Sequence, residues 1–159
     1  MNPRFTVFIG DNAKGKTALL NALSVAAGSF FLGIDKVDSR TITENEIRVI
    51  TIDGQPKPQK PVTIEAEWIP NDLEKQIWPN LRDTTKIIWK REIDKSNTTS
   101  KNAKEIKDFA NGLLRKSREK SGVIFPLLAY YGTGRLWAVH EKLNYQKQEE
   151  GVILAYTNA

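Results

Sequence analysis

The residues best equipped for chemistry lie near the start of the chain. Gly10-Asp11-Asn12-Ala13-Lys14-Gly15-Lys16-Thr17 reads G-x-x-x-x-G-K-[ST], the spacing of a loop that cradles phosphate. Each residue type has a physical reason to be there. Glycine lets a backbone turn tightly and bring its N–H groups up to phosphate oxygens. On this reading Gly10 heads the loop, and Asn12, Ala13, Lys14 and Gly15 form its backbone cradle. Lys16 would reach the β- and γ-phosphates as a cation, and the Thr17 hydroxyl would ligate a Mg²⁺ ion bridging those phosphates. A helix starting here would add a dipole favourable to an anion.

Such a loop works only between a strand and a helix, and the flanks predict both. Arg4-Phe5-Thr6-Val7-Phe8-Ile9, rich in β-branched and aromatic residues, reads as a buried strand. Residues 17–27 contain neither Pro nor Gly, place Leu19, Leu20, Leu23, Ala26 and Ala27 at helical spacing, and stop at Gly28. The alternative, a glycine turn that binds nothing, is disfavoured because motif and flanks agree.

Further on, strands and helices do not alternate. Residues 46–52, 62–69 and 86–93 each alternate polar and apolar side chains, as half-solvated antiparallel strands do. Pro56, Pro58 and Pro61 mark residues 55–61 as a loop. A helical turn is expected over Leu73–Trp78, broken at Pro79, and residues 95–100 read as a turn. Residues 101–120 form an amphipathic helix. Its apolar stripe is Ile106, Phe109, Ala110, Leu113 and Leu114; its outer face is mainly basic, with Lys101, Lys104, Lys107, Arg115, Lys116, Arg118 and Lys120. That face is either simply solvated or a surface for nucleic acid or an acidic partner. Residues 123–131 form a continuous apolar run, expected to be a buried strand despite Pro126, and Gly132-Thr133-Gly134-Arg135 follows as a turn. Arg135 is either a ligand contact past that strand or a solvent-facing loop residue.

Composition narrows the function classes. The 159 residues are 40% hydrophobic, enough for a core and too apolar for a disordered chain. Twenty-four Lys and Arg against 19 Asp and Glu leave a net charge of +5, which permits nucleic acid without requiring it. With no cysteine, disulfides, thiolate zinc sites and cysteine nucleophiles are excluded. His140 is the single histidine, read as a surface or helix residue, so a Ser-His-Asp triad is not expected. No secretory signal and no apolar run approaching the ~20 residues of a membrane span are expected, which fits a cytoplasmic protein without membrane contact.

Two blocks, NPRFTVFIGDNAKGKTALLNALSVAAGSFFLGID and FPLLAYYGTGRLW, resemble the bacterial ABC-type ATPases of the SMC/RecF/OLD-like group, nearest to the AAA-labelled, PtuA-like ATPases of Septu and retron anti-phage systems. The resemblance covers nearly the whole chain. Gly10, Asn12, Gly15, Lys16 and Thr17 match that group's G-x-N-G-x-G-K-[ST] loop, while Ala13 stands where many relatives have Gly and Lys14 where a small residue is usual. It implies an α/β P-loop NTPase fold, specifically the nucleotide-binding lobe of an ABC head with a mixed or antiparallel sheet. ATP and Mg²⁺ are its implied ligands. Its implied partners are a second ATPase lobe or a second copy of the chain, with a nuclease and nucleic acid as further candidates.

Several parts of a complete head are missing. Ile50-Thr51-Ile52-Asp53 runs into Gly54 rather than the Asp-Glu of a Walker B strand, so no residue is assigned to activate water. There is no L-S-G-G-type signature, and the segment in the Q-loop region carries no glutamine. The chain is therefore expected to be the first lobe of a larger ATPase, a single partial domain over residues 1–159 with no catalytic residue of its own. A small P-loop kinase and a nucleotide-binding interaction protein without turnover remain alternatives; a GTPase is disfavoured by the lack of N-K-x-D and D-x-x-G.

Overall fold

The structure is a computed structural model that describes residues 5–119 and 122–132. Its elements run α1 (Lys16–Gly28), a 3₁₀ turn (Ser29–Gly33), β1 (Val49–Ile52), β2 (Gln55–Pro58), β3 (Val62–Trp68), α2 (Asp72–Ile77), β4 (Ile87–Ile93), β5 (Thr98–Thr99) and α3 (Lys104–Arg118). Two small antiparallel sheets result: the hairpin β1–β2, and a three-stranded sheet in the order β3-β4-β5. The arrangement is mixed α/β. β3 and β4 fall where alternation places them; of the strand expected over residues 46–52 only Val49–Ile52 forms, because Glu44–Glu46 make a 3₁₀ turn, and β5 lies within residues 95–100, which read as a turn.

β4 organises the core. Its residues alternate in burial, so Ile87, Trp89, Arg91 and Ile93 face inward. β3 pairs with it along its whole length, from Val62 opposite Ile93 to Trp68 opposite Ile87. α3 lays the stripe Ile106, Phe109, Ala110, Leu113 and Leu114 against this sheet and against the turn after α1. Glu105 on its first turn accepts the Ile88 N–H at 2.8 Å, which ties the helix start to the strand. α2 opens on a capping box: the Asn71 side chain accepts the Glu74 N–H and the Glu74 carboxylate accepts the Asn71 N–H.

Several expectations need correction. Residues 55–58 form a strand, not a loop. An Asp53-Gly54 turn with both residues at positive φ reverses the chain, as two-residue hairpins require, and Pro56 and Pro58 are tolerated because β2 is an edge strand. Residues 5–9 join neither sheet; Val7 and Ile9 are 58% and 93% exposed. Residues 123–131 likewise form no strand, and Leu127 is 86% exposed. Each run is apolar enough to be buried, but neither pairs with the edge strands of the two sheets. The three described tryptophans serve the core: Trp78 and Trp89 are buried and Trp68 half-buried. Arg135, Trp137, His140 and Lys120 lie outside the described residues.

One stretch, Lys16–Gly33, has the 18-residue length and mean hydropathy of 1.2 that a short membrane span can have, which corrects the expectation that no run approaches it. Its Val25, Ala26 and Phe30 are buried within the core. No other described helix is long and apolar enough to cross a membrane.

Gly33 sets the distance between the turn after α1 and α3. A Cβ there would lie 2.4 Å from the Lys107 carbonyl oxygen and 2.7 Å from Ala110 Cβ, closer than atoms pack, so only glycine lets the two backbones approach. Gly33→Ala is expected to destabilise the fold by about 1–3 kcal/mol through this overpacking. A urea midpoint unchanged from wild type would show that α3 can shift freely.

Candidate functional site

The two ends of α1 are treated differently by the fold. At the C-terminal end, protein donors satisfy the last carbonyls. Ser29 Oγ donates to Val25 O at 3.0 Å, Trp89 Nε1 to Ala26 O at 3.0 Å and Ser39 Oγ to Gly28 O at 2.9 Å. Behind them sits Arg91, 1% exposed, whose Nε donates to Thr99 O and whose NH1 donates to Ser39 Oγ and Ser29 Oγ. Burial lowers the Arg91 pKa, and no carboxylate among the described residues pairs with it.

The N-terminal end is open. Gly15 precedes the first helical residue at φ 82° with no side-chain cap, so the first N–H groups of α1 point toward the loop. Gly10 through Gly15 are all exposed, as is Thr17, with Lys16 half-buried. A Cβ at Gly10 or Gly15 would meet nothing within 4 Å, so packing does not demand glycine there and the space is open to a ligand. Lys16 folds back over the loop, its Nζ donating to the carbonyls of Gly10 at 2.5 Å and Asp11 at 2.6 Å. Among the described residues its charge is met only by neutral dipoles, which a phosphate oxyanion can outcompete. The residues present thus fit the phosphate end of a nucleotide.

Ala13 has φ 63°, in the left-handed region that favours glycine. The departure from the glycine of related loops therefore carries backbone strain. Lys14 and Asn12 are exposed beside it.

A cavity of about 440 Å³ adjoins Thr17 on the side facing β3, with Asn21, Asn45, Glu46 and Thr63 among its lining. Sequence reading missed these residues. Asn21 was within reach, since it follows Thr17 at i+4 on one helix face, and the Thr43-x-x-Glu46 spacing is that of a capping box. Burial works to raise the Glu46 pKa, but hydrogen bonds from Thr43 and Arg40 outweigh it and hold the carboxyl below its usual range. Arg40 pairs with Glu46 at 2.6 Å, donates to Asn21 O and lies 5.7 Å from the Tyr130 ring centroid. Tyr130 in turn donates its hydroxyl to Asn21 Oδ1 at 2.5 Å. The segment expected to carry ligand contacts is thus docked one helical turn from Thr17, although Arg135 lies outside the described residues.

A family model described as an AAA domain matches residues 1–158. The chain belongs to the AAA domain family. No curated protein matches it. An AAA domain is a P-loop, ATP-binding, ATPase-type module that generally takes ATP with Mg²⁺, so the open end of α1 in this AAA domain has the chemistry that the family needs.

Because Ala13 holds a glycine conformation, Ala13→Gly is expected to stabilise the AAA domain by up to ~1 kcal/mol, strain relief outweighing the added freedom of the unfolded chain. Thermal denaturation checks this; a lower midpoint for the variant would mean that Ala13 is not strained.

Proposed function

We propose that this AAA domain is the nucleotide-binding lobe of an ABC-type ATPase of the SMC/RecF/OLD-like group, in a PtuA-like anti-phage or other nucleic-acid-related cytoplasmic system. The observation that carries the reading is the asymmetry of α1: carbonyls satisfied by protein at one end, N–H groups left free behind a G-x-x-x-x-G-K-T loop at the other. Gly10, Asn12, Ala13, Lys14 and Gly15 cradle the phosphates, Lys16 leaves its carbonyl partners for the β- and γ-phosphates, and Thr17 holds Mg²⁺. Bound Mg²⁺ would neutralise phosphate charge and orient the triphosphate. Lys16→Ala is expected to weaken Mg-ATP binding by roughly tenfold to a hundredfold, the value of a charge-assisted contact. Equal affinities of variant and wild type by calorimetry would remove the phosphate-loop reading.

A second lobe belongs to the same proposal. α1 is mostly apolar, yet Leu19, Leu20 and Leu23 are 39%, 45% and 36% exposed, and Val7 and Ile9 are exposed as well. These side chains support a companion lobe, from another segment or another chain, that covers the front of α1 and brings the Walker B and signature residues. Lys104, Lys107 and Arg115, exposed on α3, support a nucleic-acid contact, and a nuclease is the partner such a system would control. The isolated chain is expected to turn over ATP well below ~1 s⁻¹, the low end of ordinary enzyme rates. Phosphate release at or above that rate by the purified chain would instead favour a complete, kinase-like site.

A further inference from the structure

A cavity of about 240 Å³ lies away from the phosphate loop, between the three-stranded sheet, α2 and α3. It exceeds the roughly 150 Å³ apolar hole that admits a benzene molecule. Aromatic rings dominate its lining. Trp68, Trp78 and Phe109 stand nearly perpendicular to one another: Trp68 to Trp78 at 81°, Trp68 to Phe109 at 72° and Trp78 to Phe109 at 83°, with centroids 5.2–5.8 Å apart. They make the corner of a box, and Trp89 and Phe30 add further ring surface.

The polar groups decide what such a box could hold. All three indole N–H groups already have protein acceptors: Trp68 donates to Glu74 Oε2, Trp78 to Ile124 O and Trp89 to Ala26 O. Among the described residues the lining therefore offers no free indole donor to an anion, and no Lys or Arg lines it. One carboxylate does. Glu74 Oε2 is committed to Trp68 and to the Asn71 N–H, while Oε1 accepts no hydrogen bond among the described residues. Ring faces and a carboxylate together favour a cation. A primary ammonium would bring three N–H groups to a wall with little to accept them. A quaternary ammonium brings charge without N–H groups and an apolar exterior.

We propose that this cavity receives a compact quaternary ammonium group, with Trp68, Trp78 and Phe109 as its walls and Glu74 as its counter-charge. The test follows tryptophan fluorescence of the 159-residue chain during titration with choline, with its uncharged isostere 3,3-dimethyl-1-butanol, and with a trimethyl-lysine peptide and its unmodified counterpart. Saturable binding of choline or of the trimethylated peptide is expected, with about tenfold preference over the uncharged or unmodified control. Saturation by choline assigns a free small molecule, and saturation by the peptide alone assigns a methylated protein tail. Glu74→Gln, which preserves the helix cap, is expected to bring choline and the isostere to near parity, and Trp68→Leu to abolish saturation. Equal binding of choline and the isostere by wild type, or no saturation by either ammonium probe, would overturn the proposal.

Discussion

Removing the Arg91 guanidinium from water costs several kcal/mol unless its N–H groups find acceptors. The fold supplies oxygens from three separate stretches of chain: Thr99 after β4, Ser29 at the end of α1, and Ser39 in the following loop. None of them carries a formal charge. Part of the compensation comes from the negative end of the α1 dipole, which Ser29 joins through its bond to Val25 O. A sheet, a helix terminus and a loop are thereby held to one point. A leucine at this position would pack there without fixing the two hydroxyls.

That anchor explains why the two ends of α1 differ. Serine and tryptophan side chains hold the last turn in place, and the adjoining 3₁₀ turn meets α3 at Gly33. The first turn has no side-chain cap among the described residues, and its lysine bonds to loop carbonyls. A helix clamped at its negative end presents its positive end in a fixed direction, which suits the proposed phosphate site even though Lys16 must leave its carbonyl partners when that site fills.

Much of this was legible in the sequence because period and motif are local. Alternation located β3 and β4, helical spacing located α1 and α3, and Pro79 ended α2. What was not legible depends on partners. An apolar run says that residues avoid water, not which polypeptide covers them, so residues 5–9 and 123–131 read as buried strands that neither sheet accepts. Three prolines read as a loop because proline removes donors, although an edge strand does not need all of them. Arg91 sits at an inward phase of β4 that alternation did indicate, but charge argued the other way. In the candidate site, Gly10 to Thr17 came from motif alone. Asn45, Glu46 and Thr63 reach the side of Thr17 only through tertiary folding, and no spacing rule connects them.

The hairpin β1–β2 has a practical consequence. Its residues are exposed almost throughout, its register is held by its own turn, and the pairing continues only as far as the Gln59 N–H bond to Arg48 O. It carries almost none of the core. The Asp53-Gly54 tip is therefore a natural handle: a dye, an affinity tag or a surface tether attached there would report on, or immobilise, the molecule while leaving both the phosphate loop and the aromatic box untouched.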